Sequence, residues 1–300
     1  MKVGLQVLCY NVTPFIVPML DNAGPHVDRI YLAYSELPYS DYNPEARTKY
    51  RNPTPLSLIQ ESKYFDKIRV IVGDWPNETE QRNECVVAAR EEGMDIMLVQ
   101  DADEFFYAED YSRNIKAIMA APHVAAWSVP WYLFWKNTDY VIRHHDGSLI
   151  EYSACYALNL NHKDACFERR RMSSPRPQGQ LPGIAFHLAY VYDNAGMKQK
   201  LETWSHSGDS DRENWYRLKW LTWTESTRYI HPFMPCYYAR AERFSGELPP
   251  EVSRVPMPRA DVRPKTFGEQ IHDFTRDKKS LARHCFRAVR SRLSARFFAD

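Results

Sequence analysis

The first hundred residues alternate short apolar runs with helix signals, and this restricts the fold of the 300-residue chain more than any other feature. Residues 3–9, 29–33, 68–72 and 94–100 read as strands. Thr13-Pro14 offers an N-cap with proline at the first helical position, opening a helix over 14–20 that Pro18 shortens or kinks. Asn77 has Glu80 three residues on, a second helix start, and Gly93 supplies the left-handed residue that stops that helix. Strand, helix and strand with short connections predict right-handed crossovers and a mostly parallel sheet. Ligands of such sheets gather at the C-terminal ends of the strands.

The second half is less regular. Residues 124–135 read as one strand crossing the core, with further strands at 140–143 and 152–160. Residues 161–183 are polar and rich in Arg and Pro, which predicts a loop, and a helix is expected over 195–204. Residues 249–264 hold five of the twenty prolines and read as an extended connection.

Lys and Arg number 39 against 38 Asp and Glu, which excludes a uniformly basic surface built to grip nucleic acid. Residues 276–300 nevertheless carry eight Lys and Arg and only two acids, so a mildly acidic body bears a basic tail. Within it Leu281, Cys285, Val289, Leu293 and Phe297 recur every four residues, a helical stripe. Such a helix packs on the body, or lies on anionic lipid or nucleic acid. No stretch approaches the ~20 apolar residues of a membrane span, and the start is too short and polar for a signal peptide. Six scattered cysteines without a CxxC pair predict free thiols, and with them a cytoplasmic protein, or one peripheral at the inner face of the membrane.

Asp101 and Asp103 follow the fourth strand in Leu98-Val99-Gln100-Asp101-Ala102-Asp103-Glu104-Phe105-Phe106. In an extended segment, residues two apart point the same way, so the pair can share one hard divalent cation. A diphosphate leaving group suits such an ion, which neutralises charge as the bond breaks.

The block from Glu80-Gln81-Arg82-Asn83 through Asp101-Ala102-Asp103-Glu104-Phe105 resembles glycosyltransferases of the GT-A fold, especially family-2-like members. The resemblance covers about residues 1–210. It implies an α/β nucleotide-sugar-binding sandwich around a mostly parallel sheet, with a catalytic domain over 1–245, a connection over 246–275 and a helical basic tail over 276–300. It implies Mn²⁺ or Mg²⁺ as cofactor and a UDP-sugar as the favoured donor. Tyr10 and Asn11 would then face the nucleobase, Glu36 the uracil or ribose, and Asp74 and Arg82 the nucleotide. Asp103 would take the metal, with Asp101 near the ribose and a metal-bound water. The end of the second strand has Ser35-Glu36 where the family commonly has Asp.

His187, in the apolar run Ala185-Phe186-His187-Leu188-Ala189-Tyr190, matches a family segment that is followed by a lysine and a second histidine. The resemblance implies that His187 completes the metal site or touches the diphosphate, with Lys198, Lys200 and His206 following. His144-His145 precedes the turn signal Asp146-Gly147, which predicts exposure. A general base is expected among Glu151, Asp164, Glu168 and Asp193. Arg169–Arg171 and Arg176 would hold a phosphate-rich acceptor, close over the donor, or form an exposed loop.

The expected activity is metal-dependent transfer of a sugar from a nucleotide-diphosphate sugar to an acceptor hydroxyl. The acceptor is a bacterial surface or envelope glycan, or alternatively a hydroxymethylated pyrimidine in phage-type DNA. A haloacid-dehalogenase-like phosphatase also uses two aspartates after a strand, but after its first strand and followed by Gly and Thr, not Glu104.

Overall fold

Strand β1 (Val3–Cys9) is buried at every position but Leu8. A strand covered on both faces reads as a continuous apolar run, which is how it appears in the sequence. The computed structural model describes residues 1–208 and 211–297, with side chains up to 282. After β1 the chain forms α1 (Ile16–Ala23), β2 (Arg29–Ser35), the short helices α2 (Ala46–Lys49) and α3 (Leu56–Gln60), and β3 (Ile68–Gly73). Helix α4 (Glu78–Glu91) is capped by Asn77, whose side chain accepts from the Glu80 N–H. Gly93 ends it at φ +68°, and β4 (Ile96–Val99) follows. The first helix is shifted from 14–20 to Ile16–Ala23.

Strands β4, β1, β2 and β3 pair in that order, all parallel. Alternate side chains of β2 go to opposite faces, Ile30 and Leu32 to one core, Tyr31 and Ala33 to the core beneath α4.

Beyond β4 come β5 (Glu104–Phe105), α5 (Ala108–Ala120), β6 (Ala126–Ser128) and β7 (Pro130–Trp135). The single strand expected over 124–135 is therefore two, in different sheets. The break falls at Val129-Pro130, because proline has no N–H to continue a ladder. The chain goes on through β8 (Asn137–His144), β9 (Ile150–Tyr152), β10 (Ala157–Asn159), β11 (Cys166–Arg169), β12 (Met172–Ser174), β13 (Gly179–Gln180) and β14 (Ala185–Tyr190). Helices α6 (Asn194–Thr203) and α7 (Arg212–Trp215), strand β15 (Tyr238–Arg243) and helix α8 (Phe267–Phe297) complete it.

The architecture is a two-sheet, mixed parallel and antiparallel α/β fold. One sheet runs β13-β6-β10-β4-β1-β2-β3, with β10 antiparallel to both neighbours. The other runs β15-β8-β7-β14-β5, with β9 paired to β7. The chain leaves the first sheet at β4 and enters the second at β5, so the intervening turn, 100–103, lies where the sheets meet.

Three expectations are corrected. Residues 161–183 hold the β11–β12 hairpin and β13 within what reads as a loop. His144 is buried, its backbone paired in the β8–β15 ladder, whereas His145 is exposed. Helix α8 begins at Phe267 instead of 276, and its opening turns are tied to the body. Lys219, wholly buried, places its ammonium 2.8 Å from Asp273 Oδ1 and 2.8 Å from Asp277 Oδ2. Glu269 accepts from Arg217 and Arg263. The stripe from Cys285 to Phe297 involves side chains outside the described residues. Cys9, Cys85, Cys155, Cys166 and Cys236 are free thiols. Among the described residues, no helix is long and apolar enough to cross a membrane.

Candidate functional site

The site is built on the turn that carries Asp101 and Asp103. Strand β5 pairs antiparallel with β14 and sets His187 directly opposite Glu104. The Leu188 N–H donates to the Asp103 carbonyl at 2.7 Å, and the Glu104 N–H to the Asp101 carbonyl at 3.0 Å. Beneath the turn, Gln100 donates to the Glu104 carbonyl at 2.8 Å and accepts from the Tyr111 hydroxyl at 2.9 Å. With its backbone tied on both sides, the turn holds its carboxylates in fixed directions.

Those carboxylates belong to a continuous chain of charge. Arg82, buried on α4, donates to Glu78 Oε1 at 2.7 Å, Gln6 Oε1 at 3.1 Å and Asp101 Oδ1 at 2.8 Å. Arg171, buried in the β11–β12 hairpin, reaches Asp101 Oδ2 at 3.3 Å and grips both oxygens of Glu104. It also donates to the Val99 and Cys155 carbonyls at 2.6 and 2.8 Å, using the fork of a guanidinium fully. Asp103 meets His187 Nε2 at 3.3 Å through Oδ1 and Lys200 Nζ at 3.0 Å through Oδ2. Lys200 reaches inward from α6 and also donates to the Ala189 carbonyl at 2.8 Å.

The electrostatics follow from these pairs. Burial disfavours a charged Asp103, but Lys200 and His187 outweigh it and hold its carboxyl far below the usual carboxylate range. Asp101 is lowered in the same way, burial being overcome by Arg82 and Arg171. His187 is raised, because Asp103 and Glu104 outweigh its burial.

A cleft of about 780 Å³ opens over this cluster at the C-terminal ends of β1 and β4. Of the residues singled out from the sequence, Tyr10, Asn11, Arg82, Asp101, Asp103, His187 and Lys200 line it. His206 and the three arginines 169–171 line it too, Arg170 lying 2.6 Å from His206 Nδ1. Glu36 is exposed and lies outside the lining. Asp74, also outside, is 57% exposed and bound to Arg47 at 2.5 Å. Glu151 lies behind the wall, opposite Trp131 across the β7–β9 pair, its carboxyl accepting from the Tyr237 hydroxyl at 2.8 Å. Burial raises its pKa above the usual glutamate range despite that bond.

Sequence reasoning gave no specific role to Glu104, Trp131, Trp204 or His231. Glu104 is 0% exposed and is gripped by Arg171, while the other three line the cleft. An acidic residue beside two others, next to Phe105-Phe106, was the available signal for Glu104. The rings are brought in by segments far apart in sequence, and no local pattern marks them.

The resemblance implies a divalent ion on Asp101, Asp103 and His187, and the donor set as arranged does not fit one. Each oxygen of the two aspartates already faces a guanidinium, the Lys200 ammonium or the His187 imidazole. An ion ~2.1 Å from the Asp103 oxygen that Lys200 contacts would have to displace that ammonium. Among the described residues, no group of three or more His, Cys, Asp or Glu is arranged to hold a metal ion.

No protein-family model matches this sequence, and no curated protein matches it. The chain has a remote structural link to several nucleotide-sugar and nucleotidyl-transfer enzymes. TarS of S. aureus (residues 1–349, in complex with UDP-GlcNAc) aligns over 70% of this chain and 70% of its own at 12% identity and TM-score 0.36. The 4-diphosphocytidyl-2C-methyl-D-erythritol synthase of Anaerococcus prevotii aligns over 53% of this chain and 72% of its own, at 14% identity and TM-score 0.32. The mannose-1-phosphate geranyltransferase of Thermus thermophilus aligns over 73% of this chain and 64% of its own, at 16% identity and TM-score 0.31.

Proposed function

We propose that this protein is a glycosyltransferase that takes a nucleoside-diphosphate sugar, a UDP-sugar by preference, and passes the sugar to an acceptor hydroxyl. The observation that carries the reading is the charged cluster of Asp101, Asp103, His187 and Lys200. It stands at the C-terminal end of a central parallel strand, facing a cleft of about 780 Å³. That is where ligands of open α/β sheets bind, and the volume lies in the range of small-molecule sites. Tyr10 and Asn11, just past β1, offer a ring and an amide to a base. Arg169 brings positive charge to the lining, as a diphosphate requires.

In the transfer, the bond from the anomeric carbon to the diphosphate oxygen breaks and its electron pair leaves on the diphosphate. The acceptor oxygen forms the new bond to that carbon and gives up its proton. We assign that proton to Glu151, which is paired with the cleft-lining Trp131 across β7–β9 and whose carboxyl burial holds above the usual range, so that it would act through a water or a shift of that ring. A surface or envelope glycan is the acceptor class.

A donor-hydrolysis screen over several nucleotide sugars tests the reading, followed by the best donor with glycan acceptors and with hydroxymethylated DNA. The expected result is slow hydrolysis of one donor and faster transfer once an acceptor is added. Activity on the DNA arm alone, falling steeply with salt, would replace the glycan as acceptor. Failure of every nucleotide sugar to bind would remove the reading.

A further inference from the structure

We infer that the Lys200 ammonium, seated on Asp103 beside His187, is a built-in cation that meets the donor's diphosphate in the position a divalent ion would otherwise fill. The inference rests on the nucleotide-sugar reading above and names how that site handles charge.

The two aspartates are not an open pair waiting for an ion. Asp101 is clamped between two guanidinia that are themselves anchored elsewhere. Arg82 is held by Glu78 and Gln6, and Arg171 by Glu104 and two backbone carbonyls. Neither arginine can withdraw from Asp101 without breaking several buried hydrogen bonds, each made in a low-dielectric interior where loss is costly. Asp101 therefore serves the arginines.

Asp103 is different, because one of its partners has a donor to spare. The Lys200 ammonium carries three N–H groups. Two are well used, on Asp103 at 3.0 Å and on the Ala189 carbonyl at 2.8 Å. The third has only the Tyr192 hydroxyl at 3.4 Å, beyond the usual hydrogen-bond range. Lys200, Tyr192 and Ala189 all line the cleft. The third N–H is thus the one that can turn to a phosphate oxygen while the other two keep the ammonium in place.

Charge counting agrees. Glu78, Asp101, Asp103 and Glu104 supply four negative charges, against three positive charges on Arg82, Arg171 and Lys200. His187 between Asp103 and Glu104 makes the cluster neutral when protonated. Arg169 adds a further positive charge to the lining of the cleft. A metal on Asp103 would add two charges within a few ångströms of an ammonium that has no second carboxylate to retreat to. At such separations like charges repel strongly even at moderate dielectric.

Isothermal titration of the full chain with UDP, GDP, CDP and ADP, in excess EDTA and again with Mn²⁺, tests this. One diphosphate is expected to bind in EDTA within about threefold of its affinity in Mn²⁺. In Lys200→Met its affinity in EDTA falls about tenfold or more, a change of about 1.4 kcal/mol. Because that variant frees Asp103, added Mn²⁺ is expected to restore part of the loss, while Lys200→Arg keeps metal-free binding. Wild-type binding that appears only with Mn²⁺ overturns the inference and leaves the donor reading standing. That comparison needs no variant to fold. Absence of binding for every diphosphate in both conditions overturns the donor reading and this inference together.

Discussion

Glu104 and His187 face each other across the two-stranded pairing of β5 with β14, and the imidazole Nδ1 lies 3.8 Å from Glu104 Oε1. One short ladder therefore joins the end of the first sheet to the second and brings a histidine 83 positions further along the chain to the aspartate turn. Asp103, on the same turn, takes the other ring nitrogen. The cleft floor is a joint between two sheets, and its charges are also its fastenings.

Asp103 should make acid stability depend on that joint. Its folded pKa lies well below the unfolded value of about 3.9, so its contribution is fully present above that value. The contribution is lost as pH falls from there towards the folded pKa. Thermal melts of the wild type from neutral pH downward should show a steep loss of stability below about pH 4. Asp103→Asn should start from a lower Tm at pH 7 and show a shallower acid decline; parallel declines would exclude this linkage.

Glu151 should control the acid limb of transfer. Burial holds its carboxyl above the ordinary range, and a base acts only when deprotonated, so transfer falls as pH drops through that raised value. Glu151→Gln is expected to slow transfer by about 10²-fold or more, abolish the acid limb and leave UDP affinity unchanged. A variant with the wild-type pH profile would take the proton away from Glu151.

Lys219 should anchor α8. Its ammonium lies 2.8 Å from both Asp273 and Asp277 in a fully buried position, and removing it leaves Asp273 to Lys265 alone and Asp277 to Arg276 at 3.9 Å. Lys219→Met is expected to cost about 1–3 kcal/mol, read as a drop in denaturation midpoint. Limited proteolysis should then cut within 255–266, the segment leading into the helix. Unchanged resistance to protease would mean that the helix is held by other contacts.

Gly93 should matter for backbone reasons alone. Its φ of +68° is a conformation that side-chain-bearing residues adopt at a cost, and nothing lies within 4 Å of where a Cβ would stand. Gly93→Ala is expected to destabilise by about 1 kcal/mol, and Gly93→Asn by less, in denaturant titrations. Equal stability of all three would show that α4 does not depend on this turn.

The four parallel strands β1 to β4 were legible because their signals are local. Val3–Cys9 is an apolar run in the sequence and a buried strand in the fold, while Asn77 with Glu80 marks the start of α4 and Gly93 its end. The resemblance around Asp101 and Asp103 led to His187 and Lys200 in the same cleft. Glu36 and Asp74 also follow strand ends, yet lie outside its lining, because a strand end determines which edge of the sheet a residue reaches and not where its side chain turns.

What the sequence by itself determined is the order of strands and helices through β4 and the carboxylate turn at its end, since period, capping and turn chemistry act over a few residues. The partners of those carboxylates were decided only by the tertiary structure. Arg82, Arg171, His187 and Lys200 come from four separate segments, and each pairing depends on distances that exist only once two sheets, a hairpin and α6 have closed around the turn. Charge acts through space, so residues that look like open metal ligands in the sequence became the paired floor of a cleft in the fold.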